Sequence, residues 1–392
     1  MIRKVRFSNF YSFFKEQEIS FLAQKKKTYD YYQSKSEDQI TKVAGFIGGN
    51  ASGKTNVMRL FSFLSYFVCR KISDDSSLVT DIAYKTFFNN NKKSEFYIEF
   101  ENKNIIYYYG FSIKENIIME ESLSLKEFKK GAKKQVVFLR RSKKIERLNK
   151  KYFRNLSISS FPKIREDVSF VSFMKKTAYD VDIINSVYNY FLSIMTNINE
   201  MGDHQNPFHQ FRILNKYLDE PTLKKEMEEF ISNFDVGLNG FDIKKTDTEK
   251  GYKINVQGIH SRKGNNKLDF IYESRGTQSL FYVMGNILSA LKNNNVVIID
   301  EIETGFHPDA LNKLISYFID ENKSSKAQLI FSSHSLGFMN KLDMHQIYLV
   351  EKDNDCASKA FRLNQDKDIR SDENFLAKYM AGAYGAFPKI RV

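Results

Sequence analysis

Apolar residues recur along this chain with two different periods, and the change of period divides it. In "SEFYIEFENKNIIYYYGFSI" (94–113) apolar and polar positions alternate on either side of Glu101-Asn102-Lys103-Asn104, the pattern of two strands joined by a tight turn. "VRFSNFYSF" (5–13) and "QEISFLA" (17–23) read as short strands, and Lys42 to Ile47 as a buried one. A helix is predicted from Lys54 to about Ile72, where Val57, Met58, Leu60, Phe61, Phe63, Leu64, Phe67 and Val68 are apolar nearly all round. Such a helix belongs between layers rather than on a surface.

After about residue 160 the period becomes helical. Ile184, Val187, Tyr188, Phe191, Met195 and Ile198 predict one helix; Leu223, Met227, Phe230, Ile231 and Phe234 predict another, opened by Pro221, which suits a first turn. Short β runs return at 252–257 and 267–271, followed by "NNNVVIIDE", a helical stretch after Pro308, "AQLIFSSHS" and "QIYLVEKD". The alternation of strand and helix predicts an α/β sheet. The expected organisation is an N-terminal half over 1–160, a helical insertion over 161–238 and a C-terminal half over 239–392.

Between the two helical stretches, "MGDHQNPFHQ" holds His204 and His209 without a third ligand nearby, so no metal site is expected there. Asp353 and Asp355 follow a strand at a turn and read as a solvated loop.

Composition narrows the function classes. The longest apolar run, "FSFLSYFVC" at 61–69, stops at Arg70-Lys71, well short of the roughly 18 residues of a membrane helix, so no membrane partner is expected. Charges inside "MIRKVRFSNFYSF" leave no signal-peptide core, and Cys69 and Cys356 are too few for a disulfide framework, which together point to the cytoplasm. Sixty Lys+Arg against 47 Asp+Glu give +13. Twelve of those basic residues, with two acids, fall in Lys126 to Lys151, where the average content predicts about four. This stretch is either a track for DNA phosphates or a solvated hairpin face.

The chemistry begins at "GGNASGKTN". Gly48-x-x-x-x-Gly53-Lys54-Thr55 lies between a buried strand and a helix, where backbone N–H groups and a helix N-terminus face phosphate oxygens. Asn50, Ser52 and Asn56 complete the expected binding loop, with Lys54 reaching the β and γ phosphates of a nucleoside triphosphate and Thr55 holding Mg2+. "VVIIDE" then brings Asp300 to the metal shell and Glu301 to the attacking water. "ESRGTQSL" (273–280) opens a helix with Ser274, Gly276 and Thr277, a second anion-binding surface, and "LIFSSHS" ends a strand at His334, placed to sense the γ-phosphate. The expected catalytic residues are therefore Glu301, His334 and Lys54.

These segments resemble the ATP-binding-cassette ATPases of the SMC, RecF and overcoming-lysogenization-defect type, in the branch of abortive-infection and phage-defence operons that includes RloA-like, AbiL-like and PARIS-system ATPases. Five segments, "IRKVRFSNFYSF", "GGNASGKTN", "ESRGTQSL", "IIDEIETGFHP" and "FSSHS", carry the likeness, which extends over roughly half the chain, and the tail "YMAGAYGAFP" (379–388) is similar to this branch's closing motif. It implies an α/β ATPase head: a mixed sheet with a phosphate-loop core, an antiparallel β subdomain and an inserted helical subdomain. It also implies two heads sandwiching two ATP molecules, with Ser274 and Gly276 of one copy against the nucleotide on Gly48 to Thr55 of the other. Arg275 departs from the glycine of transporters, no Q-loop glutamine can be placed, and no heptad run announces a long coiled coil.

The resulting expectation is an ATP-driven sensor and switch that controls a separately encoded effector, a nuclease or toxin of Toprim or other type. The alternatives are a RecF-like repair ATPase that binds DNA itself and a scaffold that ATP cements into an oligomer.

Overall fold

The computed structural model describes residues 1–23, 30–70, 81–154, 156–177, 179–204, 207–233, 237–249, 251–260, 266–305, 307–365 and 369–386. At its centre lies a six-stranded sheet in the order Met195–Thr196, Val296–Ile299, Gln328–Ser333, Val43–Ile47, Ile347–Lys352, Ser358–Arg362. All neighbours are parallel except the last pair. Alternate residues serve opposite faces: Ala44, Phe46, Val296, Ile298, Ile330 and Tyr348 enter one core, while Val43, Ile47, Val297, Ile299, Leu329 and Phe331 enter a second. Burial on both faces is why these strands read as continuous apolar runs.

The first core is closed by a seven-stranded antiparallel sheet, ordered Lys144–Leu148, Gln135–Arg141, Ile117–Glu127, Ile105–Lys114, Ser94–Asn102, Ile2–Ser8, Gln17–Ser20. Helix Lys54–Cys69 lies between the two sheets, with Phe63 5.0 Å from Phe96 and Phe67 stacked on Phe111 at 3.9 Å. Apolar residues all round are what such a sandwiched helix requires. It ends at Cys69, short of the predicted Ile72, because Arg70 turns out of helical geometry at φ −52°, ψ 128°. The predicted hairpin turn is present, with Lys103 and Asn104 at φ +48° and +62°.

Helices Arg275–Asn293, Pro207–Asp219, Pro221–Ser232 and Pro308–Glu321 cover the other face, together with a three-stranded sheet, Leu238–Thr248, Gly251–His260 and Asn266–Asp269. Helices Phe170–Lys176 and Asp182–Leu192 instead bury Phe170, Val171, Ile184, Val187 and Phe191 in the first core. The helices between residues 161 and 238 thus divide between the two cores.

One predicted helix is corrected. Met195 and Ile198 do not continue it: the helix stops at Leu192, and Met195–Thr196 is a strand paired in parallel with Val297–Ile298. The free edge of the Val296–Ile299 strand offers backbone hydrogen bonds that outweigh a helical spacing. Phe234 lies outside the described residues.

The basic stretch occupies the free edge of the antiparallel sheet. Lys129 and Lys151 pair with Glu127 at 2.7 and 2.8 Å, Arg141 pairs with Glu120 and Glu146, and Lys143 pairs with Glu166. Arg140 is fully buried, 3.3 Å from an equally buried Glu121. Part of the positive charge therefore neutralises acids of this same sheet and, at Glu166, of the segment that follows it. Asp353 accepts from the N–H groups of Asp355 and Ala357, which makes "EKDND" a self-capped turn.

Candidate nucleotide site

Three adjacent parallel strands end at one place. Val43–Ile47 delivers the glycine loop, Gln328–Ser333 delivers His334, and Val296–Ile299 delivers Asp300 and Glu301. A cavity of about 540 Å³ opens there, lined by Asn50 to Asn56, Glu301, His334 and Lys352. Ligand sites in open α/β sheets gather at such carboxyl ends.

The loop has the geometry that suits a phosphate. Gly53, the N-cap of helix Lys54–Cys69, has φ +115°, and a Cβ there would stand 2.5 Å from Ser358 Oγ. Only glycine fits both constraints. Lys54 Nζ donates to the carbonyls of Gly48 and Gly49 at 2.8 and 3.0 Å and lies 3.5 Å from His334 Nδ1. Burial lowers its pKa, against the pull of Asp300, Glu303 and Glu301. Ser52 Oγ is buried without a hydrogen-bond partner among the described residues. A desolvated ammonium and an orphaned hydroxyl in one loop suit a polyanion rich in acceptor oxygens. Asn56 lines the same cavity, but its amide already donates to Ser12 Oγ at 2.7 Å and accepts from Arg59 at 3.1 Å.

Asp300 is held on every side. Its main-chain N–H donates to Asn197 Oδ1 and its carbonyl accepts from Asn197 Nδ2, both at 2.8 Å. Ser332 Oγ donates to Oδ1, and His204 Nε2 lies 3.1 Å from Oδ2. Burial pushes the Asp300 pKa up, but hydrogen bonds from His204, Ser332 and Thr55 outweigh it and leave the carboxyl below its usual range. The Thr55 hydroxyl and the Asp300 carboxylate are two hard oxygen donors of the kind that suits Mg2+.

Glu301 sits at φ +47°, a conformation that costs a non-glycine residue about 1 kcal/mol or more. Its N–H donates to Ser332 Oγ at 2.9 Å, and its carboxylate stands 3.7 Å from His334 Nε2, both side chains 41% exposed to the cavity mouth. A carboxylate held there faces solvent water beside the loop, as a general base requires.

Ser274, Gly276 and Thr277 are not among the residues lining this cavity. Ser274 caps helix Arg275–Asn293 by accepting from Thr277 N–H at 3.0 Å, and its hydroxyl lies 2.8 Å from Thr277 Oγ1. Gln278 donates to the carbonyls of Phe270, Ile271 and Glu273, and Glu273 is 2.8 Å from His260. The turn is thus braced from behind while Ser274 and Arg275 remain exposed.

The structure brings Lys54, Thr55, Asp300, Glu301 and His334 together, and it adds residues that sequence reasoning passed over. His204 and Asn197 reach Asp300 from the loop that follows Met195–Thr196, a strand without a periodic signal. His209 lies on helix Pro207–Asp219. No described cluster of three or more His, Cys, Asp or Glu residues could hold a metal without further ligands, and no described helix is long and apolar enough to cross a membrane.

Comparison with known proteins places this geometry. The profile of the family described as "AAA domain, putative AbiEii toxin, Type IV TA system" matches residues 43–340, well over half the chain. No curated protein matches. Solved structures that align over most of their length include an Smc head bound to the C-terminal winged-helix domain of ScpA, at 15% identity over 94% of this chain and 99% of that one, TM-score 0.48. The SMC head domain from Thermotoga maritima aligns at 13% identity over 92% of this chain and 98% of that one, TM-score 0.42. An Smc head with an extended coiled coil, bound to the C-terminal domain of ScpA derived from Pyrococcus furiosus, aligns at 13% identity over 93% and 97%, TM-score 0.49.

Proposed function

The chain belongs to this AAA family, and from that premise we propose that it binds and hydrolyses ATP as an ABC-type ATPase whose working unit is a pair of chains. The observation that carries the reading is the convergence of Asn50 to Asn56, Glu301 and His334 on one cavity, with buried Asp300 next to Glu301 in the chain. In it, Gly48, Asn50, Ser52, Gly53 and Asn56 surround the phosphates and Lys54 binds the β and γ oxygens. Thr55 and Asp300 would hold Mg2+, which supplies charge neutralisation on those oxygens. Glu301 takes the proton of the water that attacks the γ-phosphorus, and His334 donates to the phosphoryl oxygens as ADP leaves.

Ser274, Gly276 and Thr277 present a hydroxyl, N–H groups and a helix N-terminus away from the chain's own cavity. We assign them to the nucleotide of a second copy, so that ATP closes a homodimer. A turnover assay with the purified chain and Mg2+ tests the reading: phosphate release is expected, and its absence with or without DNA would leave only a scaffold in which ATP cements copies together.

The biological role proposed is that of a sensor and switch in an abortive-infection system, holding or releasing a separately encoded nuclease or toxin. It is supported by the family description, which names a toxin and a type IV toxin–antitoxin system, and by the motif likeness to RloA-like and AbiL-like ATPases. DNA is the rival partner. The acids that neutralise part of the Lys126 to Lys151 stretch argue for weak, shallow salt dependence in DNA binding rather than the steep slope of a dedicated DNA machine.

A further inference from the structure

His334 is held by a residue outside the expected catalytic set. Glu303 lies on the turn after Asp300 and Glu301, and its Oε1 accepts from the main-chain N–H of His334 and, at 3.3 Å, from that of Ser335. Ser333 Oγ also accepts from Ser335 N–H, at 2.9 Å, and donates to Ser335 carbonyl oxygen. His334 follows directly on strand Gln328–Ser333, and its imidazole is half exposed. Its ring meets Lys54 at 3.5 Å and Glu301 at 3.7 Å across solvent, contacts too weak to fix it. Ser333 holds Ser335, and the bond to Glu303 is what holds the His334 N–H itself, the backbone from which the imidazole projects.

Glu303 is itself anchored. Two residues further on, Gly305 (φ +86°) packs against Gly276 so closely that a Cβ on Gly276 would stand 2.2 Å from the Gly305 carbonyl oxygen. On the other side, Ile302 is fully buried and its N–H donates to Ser332 carbonyl at 3.1 Å. The turn is pinned at both ends, so the carboxylate between them cannot follow a moving histidine. The second carboxylate oxygen, Oε2, is buried without a hydrogen-bond partner among the described residues. Such a group is tolerated where its other oxygen holds something that matters.

We propose that Glu303 is a positioning residue for ATP hydrolysis, whose carboxylate oxygen holds the His334–Ser335 backbone so that the imidazole faces the γ-phosphate. The inference rests on the ATPase reading of this cavity. Its demand on Glu303 is an acceptor oxygen rather than a negative charge, and that separates it from a direct electrostatic action on Lys54, which also feels Glu303.

Glu303→Gln keeps the acceptor and loses the charge; Glu303→Ala and the bulkier Glu303→Met lose both. ATP turnover and amide hydrogen exchange are measured on the full chain. The expected result is kcat within about threefold of wild type for Gln and lowered by about 10- to 100-fold for Ala and Met, with KM for ATP little changed in all three. In a His334→Ala background, Glu303→Met should cost nothing further. Exchange at the His334 amide should be slow in wild type and Gln and fast in Met, while the Ser335 amide, which keeps its bond to Ser333 Oγ, changes little; this readout stands even if the chain proves not to hydrolyse ATP. Equal losses for Gln and Met, additive losses in the His334→Ala background, or unchanged exchange in Met would each overturn the proposal. Should Ala not fold, Met and Gln carry the comparison.

Discussion

The His204 imidazole stands 3.1 Å from the Asp300 carboxylate, although 96 residues separate them in the chain. Ser332 already takes the other carboxylate oxygen, so His204 occupies the side of Asp300 left for a metal. Under the proposed Mg2+ reading, a metal ion at Asp300 and His204 would compete for that oxygen. Replacing His204 with Ala should lower the Mg2+ concentration for half-maximal ATPase roughly fivefold, the equivalent of a partly exposed pair worth about 1 kcal/mol. A magnesium titration of turnover checks it; a raised requirement would mean that His204 instead orients the carboxylate.

Lys54 and Glu301 should fail in different ways. Lys54→Ala removes the cation buried against the loop carbonyls and should weaken ATP binding by about 100-fold or more. Glu301→Gln keeps the side-chain shape and should leave affinity within about threefold while turnover falls by about 100-fold or more. Equilibrium binding and phosphate release on the two variants separate the roles. Normal turnover in Glu301→Gln would remove it as the base.

What the chain revealed in advance, and what it hid, follow from range. The strand–glycine loop–helix order around Gly48 to Thr55 and the run ending in Asp300-Glu301 are local patterns, and each is found where its pattern placed it. Helix Lys54–Cys69 likewise announced its burial through apolar residues on every side. Met195 was misleading because it continues the spacing of Val187 and Phe191, whereas its actual state depends on an edge offered by Val297, a hundred residues away. The Asn197 clamp on Asp300 and the Glu303 hold on His334 involve single polar side chains with no periodic signature. The basic stretch showed its charge but not its partners, since Glu120 and Glu166 lie on other segments.

His209 gives the fold an acid-sensitive point on helix Pro207–Asp219. Burial, with Arg212 nearby, lowers its pKa to about 4 from 6.5. The unfolded chain therefore takes up a proton below 6.5 that the folded chain refuses until about 4, and stability falls as pH drops through that window. The loss should reach at most about 2 to 3 kcal/mol. Urea denaturation at pH 7.5 and pH 5 should show it, and His209→Gln should reduce the difference between the two. An undiminished difference in that variant would assign the acid sensitivity elsewhere.

The central claim, that ATP is clasped between two copies, is tested most directly by sedimentation of Glu301→Gln with ATP and Mg2+, with and without a second change, Ser274→Arg. Ser274 is exposed and outside its own chain's cavity, so the added bulk should leave nucleotide binding within about twofold. The account predicts that Glu301→Gln sediments as a dimer only with ATP, and that the double variant binds ATP yet remains monomeric. A double variant that dimerises on ATP as readily as Glu301→Gln alone would contradict it.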